Sequence, residues 1–112
     1  MKHDKIPTIT KSQADNVFST GSRDEICRAL LGIYELGDEH WEWVQATYLQ
    51  FLKHEDEWVA CAATTGLGHL ARVSRRIDHE MVVPALKQIS ERSLRMKGKV
   101  SDALEDIAMF AK

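Results

Sequence analysis

The sequence predicts an all-α fold of about six helices, arranged as three stacked antiparallel helical hairpins. Three observations carry that expectation. Apolar residues recur at three- and four-residue spacing along most of the chain, and no segment alternates with period two for long enough to argue a strand. Only two prolines interrupt the 112 residues, so long helices are permitted. A short motif, a β-branched residue followed three positions later by alanine, occurs three times: Ile26 with Ala29, Val59 with Ala62, and Val100 with Ala103. The offsets are 33 residues from Ile26 to Val59 and 41 from Val59 to Val100, within the range of helical-hairpin repeats. One such hairpin cannot cover its own apolar face, whereas three stacked ones share a continuous core.

Residues 1 to 10 read as a flexible lead-in and residues 11 to 112 as a single domain. A short first helix over 11–19 places Ala14, Val17 and Phe18 on one face, and Thr20 and Gly21 end it. Ser22 with Glu25 is a capping box that opens a second helix, in which Ile26, Ala29, Leu30, Ile33 and Leu36 follow helical spacing as far as Gly37 and Asp38. The third helix, from about Glu39 to Lys53, carries the stripe Trp41, Val44, Tyr48 and Leu52. Asp56 caps a long fourth helix to about Arg75, with Val59, Ala62, Ala63, Gly66, Leu70 and Val73 on one face. Asp78 caps a fifth, with Met81, Val82, Ala85, Leu86 and Ile89 packing and Pro84 in its first turn. A basic linker over Leu94–Gly98 leads to a last helix carrying Val100, Ala103, Leu104, Ile107 and Phe110.

The fourth helix contains Gly66-Leu67-Gly68, which lacks the preceding strand and the third glycine of a dinucleotide fingerprint. Glycine inside a helix costs about 1 kcal/mol relative to alanine. Gly66 falls on the Val59 face and Gly68 on the opposite one, which suits a helix packed closely on both sides.

Composition limits the function. Apolar residues make up 44% of the chain, and no run approaches the ~20 needed to span a bilayer. The N-terminal run MKHDKIPTITKSQADN has no apolar core of the kind a secretory leader needs. Two cysteines, Cys27 and Cys61, make no disulfide framework and read as buried thiols, so a cytoplasmic location is expected. The histidines His3, His40, His54, His69 and His79 are dispersed, and no metal site or cofactor is expected. The carboxylates lie in turns or near helix starts, where they complement the macrodipole, and no enzyme is expected.

The net charge is −2, but it is unevenly spread. Residues 35–57 carry seven acids against Lys53, and residues 72–99 carry eight bases against three acids. The acidic run also holds Trp41 and Trp43, and Trp58 follows it directly. Trp41 falls on the apolar stripe, whereas Trp43 is about 200° round from it, toward solvent. An exposed Trp among carboxylates suits a basic protein partner, the ring as anchor and the charges as steering. The candidate partner-binding residues are therefore Glu35, Asp38, Glu39, Glu42, Trp43, Glu55, Asp56, Glu57 and Trp58. The alternative is that Trp43 and Trp58 pack beneath the N-terminal hairpin. The basic run has no interleaved aromatics for stacking on single strands, which leaves nucleic-acid binding as a minor alternative.

The pattern Asp56-x-x-Val59-x-x-Ala62 followed by Leu67-Gly68 resembles the second helix of a HEAT repeat, with Ala60 where that pattern usually has Arg. More broadly, DEWVACAATTGLGHLARV (56–73), MVVPAL (81–86) and VSDALEDIAMF (100–110) resemble small stand-alone bacterial HEAT-like proteins, over about residues 11 to 111. The resemblance implies a HEAT-like α-solenoid. It further implies an immunity protein that binds and neutralises a cognate polymorphic or contact-dependent toxin, here a basic toxin domain, and is a monomer in isolation. A HEAT-repeat adaptor or scaffold is the other reading.

Overall fold

A computed structural model describes residues 9–111. Most of the lead-in expected over 1–10 lies outside the described residues. Those described form six α-helices and two short 3-10 turns, with no strand among them. The helices are α1 (Lys11–Thr20), α2 (Arg23–Leu30), α3 (Gly37–Leu52), α4 (Glu57–Ser74), α5 (His79–Ile89) and α6 (Leu94–Phe110).

The helix starts follow local side-chain chemistry. Thr10 and Gln13 form a capping box on α1, and Ser22 and Glu25 form the expected one on α2. The Trp58 amide donates to Asp56 Oδ1 at 2.9 Å, and the Glu80 amide donates to Asp78 Oδ1 at 3.1 Å. Each satisfies an amide that the first helical turn leaves without a partner. Arg75 ends α4 in the left-handed region, at φ 60, with its guanidinium 5.4 Å from the Phe110 ring centroid.

Helix α4 is the centre of the domain. It packs against α2, α3 and α6, and eleven of its eighteen residues are buried. The two glycines answer to two different neighbours. A Cβ on Gly66 would collide with the Tyr48 ring of α3, and one on Gly68 would lie 3.4 Å from the Ala103 backbone of α6. The small residues thus let α4 approach helices on both sides, as the opposite placement of the two glycines predicts. Tyr48 is fully buried and its hydroxyl donates to the Leu30 carbonyl at 2.6 Å, so one side chain ties α3, α4 and the end of α2 together. Burial pushes the Tyr48 phenol far above its ordinary range, so it stays a donor at any ordinary pH. Thr64, also fully buried, donates its hydroxyl to the Ala60 carbonyl at 2.9 Å and leaves no polar atom unpaired.

Several expectations need correction. The second helix does not run to Leu36. It stops at Leu30, and a 3-10 turn over Ile33–Leu36 follows the Gly32 break. Helix α3 begins at Gly37 and kinks at His40, whose backbone is non-helical. Pro84 sits in the second turn of α5, at an exposed position. Met81 and Val73, expected to pack, are exposed. Residues 94–98 are not a linker. Ser93 accepts from the Met96 amide at 3.1 Å and starts α6, so that Met96 extends the buried stripe of Val100, Ala103 and Ile107. Gly98 lies inside that helix, facing open space.

Candidate functional site

The three helices that carry the repeated motif, α2, α4 and α6, lie side by side, α4 touching both others. Between them runs a groove of about 620 Å³. Its floor is apolar. Cys27 of α2 and Leu31 just past its end contribute on one side, and α4 contributes Cys61 and Ala62. Trp58 stands at one end, 53% exposed, far more open than a tryptophan usually is. The rim carries Arg23 and Asp24 from α2 and Arg95 and Lys99 from α6.

The rim is held in place by ionic contacts to the start of α4. The Arg95 guanidinium lies 4.5 Å from the Trp58 ring centroid, a cation–π distance, and 3.6 Å from Glu57. Glu57 also accepts from the Ser93 hydroxyl at 2.8 Å, which joins the starts of α4 and α6. Across the groove Arg23 lies 3.7 Å from Asp56. Trp58 is therefore exposed but positioned, with its ring held against a cation that is itself anchored. Burial, and secondarily Asp56, pushes the Cys27 thiol up, while burial and then Glu57 do the same for Cys61. Both are protonated at neutral pH, and the Cys61 thiol lies 3.3 Å from the Met96 sulfur. They act as apolar floor, with little thiolate to offer as a nucleophile.

Beyond Lys99 a smaller groove of about 190 Å³ continues between α4 and α6 and shares Thr65 and Lys99 with the first. It is lined by Gly68, His69, Asp102, Ala103 and Asp106. Arg72 donates to His69 Nδ1 and lies 3.9 Å from Asp106. Burial, then the Arg72 cation, holds the His69 imidazole below its usual range.

The nine residues expected to form one acidic partner surface are divided by the fold. Glu35 precedes α3 and Asp38, Glu39 and Glu42 lie in its first two turns, whereas Glu55, Asp56, Glu57 and Trp58 lie past its end. From Glu42 to its end at Leu52, α3 rises about 15 Å at 1.5 Å per residue. Trp43 turns inward. It packs against the core half-buried, with the Lys11 ammonium 5.4 Å from its ring centroid. Trp58 takes the opposite course, so the two tryptophans that sequence treated together have different roles. The basic run is dispersed as well. Arg72 serves His69 and Asp106, Arg75 covers Phe110, and Arg92 donates to the carbonyls of His54 and Glu55, both at 2.8 Å. A linker over 94–98 leaves Arg95 and Lys99 as members of a basic run, with no helix face to share. Once Ser93 is taken as a cap, their four-residue spacing places both on one face of α6.

No protein-family model, curated protein or solved structure matches the chain.

Proposed function

We propose that this chain is a non-catalytic protein-binding module. On the resemblance of its α4 and α6 sequences to small bacterial HEAT-like proteins, we read it as an immunity protein that holds a cognate toxin domain inactive. The observation that carries the binding reading is Trp58, half-exposed yet held by Arg95 at the mouth of an apolar groove. Such aromatics, ringed by polar groups that can exclude water once covered, are the usual centres of binding energy in protein interfaces. The adjacency of α2, α4 and α6 on one side, with α3 against α5 on the other, supports the finer architecture of three stacked hairpins. In such a stack the second helices form a continuous recognition face.

The test is titration against the product of the adjacent upstream gene. Trp58→Ala should weaken the complex by about 2 kcal/mol, the scale of an interface hot spot, with the helical circular dichroism spectrum unchanged. Unaltered affinity would remove Trp58 from the interface. A neighbouring product that fails to bind wild-type chain would sink the immunity reading.

A further inference from the structure

The groove's chemistry points to a particular partner, and not to the basic one that the acid-rich run 35–57 suggested. The α4 residues along it, Trp58, Cys61 with Ala62, Thr65, and Gly68 with His69, recur at three- and four-residue intervals on one face. They span about 17 Å at 1.5 Å per residue. A row with that spacing is complementary to the ridge of another helix, which repeats its side chains at the same interval. No strand edge exists among the described residues to accept an extended peptide by backbone pairing.

The charges then select among helices. The large part of the groove, where the apolar anchors would seat, is lined by three cations, Arg23, Arg95 and Lys99, against one carboxylate, Asp24, whereas the two carboxylates Asp102 and Asp106 are confined to the smaller part. Both arginines remain about half exposed in their ion pairs, leaving guanidinium donors facing the groove. Lys99, where the two grooves meet, has no ion-pair partner among the described residues. A partner laying apolar side chains on Cys27, Leu31 and Trp58 would bring its flanking residues against these cations. We infer that the α2–α4–α6 groove takes an amphipathic helix of a protein partner whose apolar anchors are flanked by Glu or Asp. This inference rests on the groove being the protein-binding face, and adds the partner's chemistry.

The experiment uses the full chain, labelled with ¹⁵N, and two alanine-based helical peptides of about four turns. Both carry leucines along one face. One has glutamates at the flanking positions, the other lysines at the same positions. The Trp58 indole resonance is picked out from the three by its loss in a Trp58→Phe variant. The glutamate peptide should shift the Trp58 indole and bind about tenfold more tightly than the lysine peptide at low salt, the preference shrinking as salt rises. Lys99→Glu, which breaks no ion pair seen here, should narrow or invert that preference. Equal or tighter binding of the lysine peptide at Trp58 overturns the acidic assignment and leaves the groove as a binding face. A single-stranded oligonucleotide that shifts Trp58 more than the glutamate peptide does would assign the cations to phosphate and overturn it too. If no probe shifts Trp58, both the partner chemistry and the groove reading fall.

Discussion

Adding one methyl group at Gly66 should test the central contact of the fold. In an open helix, Gly66→Ala would stabilise by about 1 kcal/mol through helix propensity. Here the new Cβ meets the Tyr48 ring, which is fully buried and has nowhere to swing. Forcing volume into a packed contact costs about 1–3 kcal/mol. Displacing the ring also strains the hydroxyl's bond to the buried Leu30 carbonyl, and an unserved buried acceptor costs about 1–3 kcal/mol more. The two costs outweigh the propensity gain, and Gly66→Ala should destabilise by about 2–3 kcal/mol. In a Tyr48→Leu background the ring and its hydroxyl are absent. There the same substitution should become neutral or stabilising, a coupling at the upper end of that measured for residues in contact. Urea unfolding of the four proteins, followed by far-UV circular dichroism, gives the cycle, because a domain this small is expected to unfold in one step. Leucine is preferred to alanine at position 48 so that the background keeps part of the ring's volume and remains folded. A Gly66→Ala change that stabilises the wild type, or shifts both backgrounds equally, would show that α3 and α4 do not meet at this pair.

Gly98→Ala should act in the other direction. Its Cβ would enter open space inside α6, so it should gain about 0.5–1 kcal/mol and raise Tm by several degrees in thermal melts. No gain would return residues 94–98 to the linker that their sequence suggested. His69 should make stability depend on pH. Its folded-state pKa is depressed, so the unfolded chain binds the extra proton first as pH falls. Its contribution should be full above about pH 6.5, the unfolded value, and decline below it until the folded form also protonates. Urea midpoints for His69→Gln should lose that portion of the acid slope, and an unchanged slope would place its source elsewhere.

The identity of the helices was legible because it is written locally. Ser22 with Glu25, Asp56 and Asp78 satisfy amides within three residues of themselves, so a reader needs only a short window to find those starts. The need for close contact at Gly66 and Gly68 was legible for a similar reason, since glycine's cost in a helix implies a compensating neighbour. Which neighbour compensates was not written there. Tyr48 lies 18 residues before Gly66 and Ala103 lies 35 after Gly68, and only the path of the chain brings each pair together. The placement of charge was hidden for the same physical reason. Seven acids within 35–57 look like one patch in one dimension, but the part of α3 that follows its kink at His40 lies between their two groups, and Asp56 and Glu57 are drawn into ion pairs with Arg23 and Arg95. Trp43 and Trp58 were alike in sequence, each an aromatic among carboxylates. Tertiary structure alone separated them, because α1 lies over the first while the gap between α2 and α6 leaves the second open at the end of the groove.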